Sequence, residues 1–92
     1  MRTVAGNENE PQRAAAESTP LLSSRETQVL LAWLHADSKN VVAAQLFIAL
    51  GTVNTHLSRI RDKYAAAGRP APTKASLVAR ALQDGLIGID DL

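Results

Sequence analysis

Thr52, Asn54, Thr55, Ser58, Arg59, Arg61 and Lys63 crowd short hydrogen-bonding side chains and cations into one stretch, interrupted by Val53, Leu57, Ile60 and Tyr64. The four apolar residues recur at helical spacing, so on a helix they form one stripe and the polar residues take the opposite face. Amides, hydroxyls and guanidinium groups on such a face are equipped to hydrogen-bond and to meet anions, not to break bonds. From Thr52 to Arg80 the basic residues are Arg59, Arg61, Lys63, Arg69, Lys74 and Arg80, against the single acid Asp62. Acids gather instead at Glu8, Glu10 and Glu17 and at Asp84, Asp90 and Asp91. This sorting suits a face that meets phosphate, although an ordinary solvated surface would carry the same residues.

Other chemistry finds little support. The chain has no cysteine, which removes disulfides, thiolate nucleophiles and cysteine metal ligands together. Its two histidines, His35 and His56, fall on different elements, and neither has a second ligand one helical turn away. No pair of carboxylates is spaced for acid–base work. We therefore expect no enzyme, no metal and no cofactor. No apolar run approaches the roughly 20 residues of a membrane span, and the N-terminus lacks the basic-then-apolar order of a secretion signal. The expectation is no membrane partner and a cytoplasmic location.

The elements that must position the polar face can be read from caps and periodicity. Aromatics are scarce, so Ala and aliphatic side chains must build the core, which favours packed helices over a sheet. Residues 1–20 are polar, with Pro11 and Pro20 and no apolar period, and read as a flexible tail or interdomain linker. Ser23 with Glu26 forms a capping-box pattern that opens a first helix over about 24–36, carrying Val29, Leu30, Trp33 and Leu34. Trp33 and Tyr64 are expected in the core, and His35 at the negative end of this helix dipole. Ser38 caps a short second helix, about 39–46. Residues 47–51, with Gly51, read as a turn before a third helix over about 52–66. Gly68-Arg69-Pro70-Ala71-Pro72 breaks that helix, and a fourth follows over about 73–84, with Gly85 as its stop. The predicted fold is all-α: a compact four-helix domain over 21–92 containing a helix-turn-helix, behind a disordered N-terminal tail.

Several separated blocks also match a known family in order and spacing. Leu22-Ser23-Ser24-Arg25-Glu26, Val29-Leu30, Ser38 with Ala43, Leu46-Phe47-Ile48, Gly51-Thr52-Val53-Asn54-Thr55-His56 and Ile60 with Lys63 resemble the LuxR-type (NarL/FixJ-like) C-terminal DNA-binding domain of bacterial transcriptional regulators. The resemblance covers about 22–87. It implies sequence-specific binding of double-stranded DNA by the third helix in the major groove, with base contacts falling on Asn54, Thr55 and Ser58. Phosphate contacts are expected from Lys39, Asn40, Thr52, Arg59, Arg61 and Lys63. It further implies a homodimer through the fourth helix, for which Leu77, Val78, Ala81 and Leu82 are the candidates, and RNA polymerase as a further partner.

The departures are informative. Asn54 stands where the family usually has Lys, exchanging a donor suited to guanine for an amide suited to adenine. Val41 removes the reciprocal half of the second helix's capping box. Ala49 replaces the usual Ser or Thr at the entry to the third helix, so that Gly51 or Thr52 would have to compensate. Leu31 occupies a position that is usually polar, and the loop after Tyr64 is longer than usual. These losses leave a second reading open: a helical protein-interaction module that keeps the fold without reading DNA.

Overall fold

Three capping motifs fix where the helices begin. The computed structural model describes residues 19–92, so most of the expected tail lies outside the described residues. Ser23 Oγ accepts from the Glu26 N–H at 3.1 Å while Glu26 Oε1 accepts from the Ser23 N–H at 2.8 Å, opening α1 (Ser24–Leu34) as the pattern predicts. Ser38 Oγ accepts from the Val41 N–H at 3.3 Å and opens α2 (Lys39–Leu46) without a reciprocal bond. Thr73 and Ser76 form the box that opens α4 (Lys74–Gln83).

The third helix departs from expectation. It spans Leu50–Ala66 (α3), two residues earlier than predicted, and its N-cap Ala49 supplies no side-chain bond. Neither Gly51 nor Thr52 compensates, since both lie inside the helix. Gly51, expected in the turn, is the second residue of the helix. The turn is made instead by Phe47, which adopts the left-handed conformation (φ 57°, ψ 45°). There the Ile48 N–H bonds to Ala43 O at 3.0 Å and the Phe47 N–H to Ala44 O at 3.4 Å, a Schellman closure that normally selects glycine. The same closure ends α3 at Gly68 and α4 at Gly85, both with positive φ. α1 also stops short of the predicted Ala36, because the His35 and Ala36 N–H groups turn back to Ala32 O and Trp33 O.

The core joins Val29, Leu30 and Leu34 of α1, Val42 of α2, Val53, Leu57, Ile60 and Tyr64 of α3, and Leu77 and Ala81 of α4. α3 packs on both α1 and α2, and α4 closes against α1. Leu31 lies half-buried against this core. Ile87 is buried beyond α4, and a 3-10 turn at Ile89–Asp91 ends the chain. The His35 ring sits between Leu31 O, 2.9 Å from Nδ1, and Asp91 O, 3.2 Å from Nε2, placing that turn beside the end of α1. Among the described residues there is no strand, and no single helix is long and apolar enough to cross a membrane.

Candidate nucleic-acid interface

The chain turns through 107° between α2 and α3, within the range of a helix-turn-helix. With Val53, Leu57, Ile60 and Tyr64 fully buried, α3 presents Thr52, Asn54, Thr55, Ser58, Arg59 and Asp62 to solvent, on one continuous face. Asn54, Thr55 and Ser58 are thus brought together and exposed. The Thr55 hydroxyl donates to Gly51 O at 3.0 Å. Asp62 lies one turn beyond Ser58 and puts a negative charge on the second half of the face.

The cations divide sharply. Arg59 is exposed and Arg61 half-buried, and among the described residues neither is paired with an acid. Lys63 is engaged elsewhere: its Nζ donates to Glu26 Oε1 at 2.6 Å and to Leu21 O at 3.1 Å. Arg69 turns inward to Asp84 at 2.7 Å and stacks over the Tyr64 ring at 5.4 Å. Lys74 donates to Ala36 O at 2.5 Å, with its ammonium 4.1 Å from the Trp33 ring centre. Arg80 donates to Pro70 O at 3.1 Å and to Gln83 Oε1 at 3.1 Å. The basic run between Thr52 and Arg80 is therefore largely internal bracing: Arg59 faces outward, and Arg61 lies half-buried with its Nε enclosed. Lys39 lies half-buried with its ammonium 5.9 Å from the Trp33 ring centre, and Asn40 is exposed beside it at the start of α2. Trp33, expected in the core, is half-buried between these two lysines. His56 is half-buried, and its Nδ1 has no hydrogen-bond partner among the described residues.

Two adjacent residues of α1, neither a site candidate in the sequence, hold both α2 and α3. Arg25 Nη2 donates to Leu46 O at 3.3 Å, capping the end of α2 where the turn begins. Glu26, almost wholly buried, grips Lys63 on α3. The hydrogen bond from Lys63, joined by the Ser23 N–H, holds the Glu26 carboxyl below its ordinary value. The capping-box spacing marked Glu26 as a cap; nothing in the pattern showed that the same oxygen also receives Lys63.

A second anchor sits at the far end of α3. Asp84 Oδ2 accepts from the Tyr64 hydroxyl at 2.8 Å, and Oδ1 takes Arg69 together with the Thr19 hydroxyl at 3.2 Å. Burial pushes the Asp84 carboxyl up, but the hydrogen bonds from Arg69 and Tyr64 outweigh it and leave it below its ordinary value. Burial, then the Asp84 carboxylate, raise the Tyr64 hydroxyl well above its own. Thr19 and Pro20, predicted to belong to the tail, therefore lie against the domain, lining an apolar cavity of about 220 Å³ with Leu22, Tyr64 and Leu86.

The four α4 candidates do not form one surface. Leu77 and Ala81 are fully buried in the domain's own core, which leaves neither available to a partner and corrects their assignment to a dimer contact. Val78 and Leu82 are half-buried and retain accessible surface. The division follows from α1, which covers one edge of the α4 apolar stripe; periodicity alone cannot say which edge a neighbour takes.

Comparison with known proteins places this geometry. The family described as bacterial regulatory proteins, luxR family, matches residues 20–73. The chain is 34% identical over 84 residues to the probable transcriptional regulatory protein NarL of two Mycobacterium tuberculosis strains, a match covering 91% of this chain and 37% of the relative. The chain thus spans little more than a third of the length of the curated relatives it matches. No solved structure matches.

Proposed function

The chain belongs to the LuxR family of bacterial regulatory proteins, and from this premise we propose that residues 21–92 form a unit that binds double-stranded DNA sequence-specifically, with α3 in the major groove, to regulate transcription. The observation that carries the proposal is the exposed face of α3, on which Asn54, Thr55 and Ser58 stand together with Arg59. A major groove admits one helix and displays base edges to short side chains of this kind. Asp62 repels phosphate, so contact stops short of it along the helix. Thr52, Arg59, Arg61, Lys39 and Asn40 are the phosphate contacts, helped by the uncapped N–H groups at the start of α3. Lys63 enters only as a brace, since its ammonium is held by Glu26.

Asn54 reads adenine, pairing its amide with N6 and N7. Two copies pair on adjacent half-sites through Val78 and Leu82, and RNA polymerase is the further partner through which such a complex acts. Selection of bound duplexes from a random pool, followed by titration of the winners at several salt concentrations, tests these points together. The expected result is a site with adenine opposite Asn54 and a repeated half-site. Affinity should drop about fortyfold between about 50 and 200 mM salt for each copy bound, through its three cationic contacts Lys39, Arg59 and Arg61. Equal affinity for all four bases at that position would remove the Asn54 assignment. No binding even at low salt would overturn DNA reading and favour the interaction module, for which exposed Phe47, Val41 and Leu50 supply an apolar surface.

A further inference from the structure

We infer that Thr55 reads its base as a hydrogen-bond acceptor only, selecting an amine-bearing base (adenine or cytosine) and rejecting guanine. The inference rests on α3 being the base-reading helix. A threonine hydroxyl has one proton and two lone pairs, so it can ordinarily donate or accept. Here the proton is already engaged: Oγ1 donates to Gly51 O at 3.0 Å, one turn back along the same helix. This bond selects one of the two staggered positions open to a helical threonine. It leaves the hydroxyl lone pairs and the side-chain methyl as what Thr55 presents to a partner.

The consequence follows from the groove edges. Adenine and cytosine offer N6–H₂ and N4–H₂ donors, which a proton-engaged hydroxyl can accept. Guanine offers N7 and O6, both acceptors, and faces the Thr55 lone pairs with nothing to share. Thymine offers the acceptor O4 but also a methyl group, which the Thr55 methyl can touch. Preference at this position therefore runs adenine and cytosine first, thymine next, guanine last. Ser58, equally exposed, makes no intrahelical side-chain bond and carries no such polarity. Asn54 has both a donor and an acceptor and differs again. The three adjacent readers thus obey different rules, and only at Thr55 does the protein's own backbone fix the rule before DNA arrives.

The experiment uses the full chain and duplexes selected by it. Binding is measured by fluorescence anisotropy at fixed salt, for the native protein, Thr55→Val and Thr55→Ser, across all four bases at each position of the half-site. The position that answers to Thr55 is the one whose preferences change in Thr55→Val. The native protein should bind adenine and cytosine there about tenfold or more tighter than guanine. Thr55→Val is isosteric and keeps the methyl without the acceptor, so thymine should become the best base. Thr55→Ser keeps the acceptor and should retain adenine and cytosine over guanine while losing ground on thymine. Thr55 is exposed, so circular dichroism should show all three folded alike. Guanine bound as tightly as adenine or cytosine, with that affinity lost in Thr55→Val, would mean the hydroxyl rotates to donate and would overturn the inference. So would a half-site in which no position responds to Thr55→Val although the position assigned to Asn54 responds to Asn54→Ala. Failure to recover any preferred sequence would instead remove the base-reading role of α3 itself.

Discussion

Replacing Asp84 by Asn should cost this domain a large part of its stability without touching any exposed residue of α3. Asp84 and Arg69 form an ion pair at 2.7 Å whose side chains are only 4% and 10% exposed, and Tyr64 donates to the other carboxylate oxygen at 2.8 Å. Removing one charge from a buried pair leaves the other uncompensated, at about 3–5 kcal/mol. Asn keeps the size and one acceptor, which argues for the low end, about 3 kcal/mol. Domains of this size have roughly 5 kcal/mol in hand, and each kcal/mol moves the melting temperature by about 4–8 °C, so a fall on the order of 15 °C is expected. Chemical and thermal denaturation of Asp84→Asn, and of the triple variant Arg69→Met/Asp84→Leu/Tyr64→Phe, form the assay. An apolar trio leaves no orphan charge and should recover most of the loss. A triple variant as unstable as Asp84→Asn would refute the reasoning, because orphaned charge could not then be the cause. The native protein should also lose this increment in acid. The Asp84 carboxyl is depressed in the fold, so its contribution is complete above the ordinary aspartate range, near 3.9, and disappears as pH falls through the lower folded value.

Phe47→Gly should stabilise the domain by about 0.5–1 kcal/mol: a bulky residue in the left-handed region costs about 1–2 kcal/mol, part of which glycine returns as backbone entropy. The phenyl ring is 93% exposed, so little burial is forfeited; a lower melting temperature in the variant would show that the ring packs in a way its exposure denies. Glu26→Gln should cost about 1–2 kcal/mol near neutral pH, discounted for the partly exposed Lys63. The native Glu26 carboxyl is depressed, so its advantage is present above the ordinary glutamate range and fades as pH falls through the folded value. Denaturation curves of the two proteins should therefore converge in acid, and a gap independent of pH would count against the Lys63 pairing.

What the sequence made legible was local. Ser23 with Glu26 located the start of α1, the spacing of Val53, Leu57, Ile60 and Tyr64 identified the buried stripe of α3, and Gly85 marked the end of α4. Each signal lies within one or two helical turns. The start of α3 lies before Gly51, the residue that carries the turn signal, because the left-handed position belongs to Phe47, a residue type that carries no such signal. The pairings of Lys63 with Glu26 and Arg69 with Asp84 join separate elements, and a charge pattern cannot distinguish a cation awaiting phosphate from one already answered by a carboxylate. The same limit governed α4: Leu77 and Val78 are equally apolar, and only the position of α1 decides which is covered.

The attachment of residues 19–23 has a consequence for excluded volume. Thr19 is held at Asp84, Leu21 O at Lys63 and Ser23 at Glu26. At about 100° per residue, Lys63 lies on the edge of α3 opposite Asn54. The chain is thus pinned along the edge of α3 that also carries Thr52 and Arg59, about 20° and 40° around the helix from Lys63. Residues 19–23 therefore take up volume beside that flank, and a duplex held there by Thr52 and Arg59 has to accommodate them.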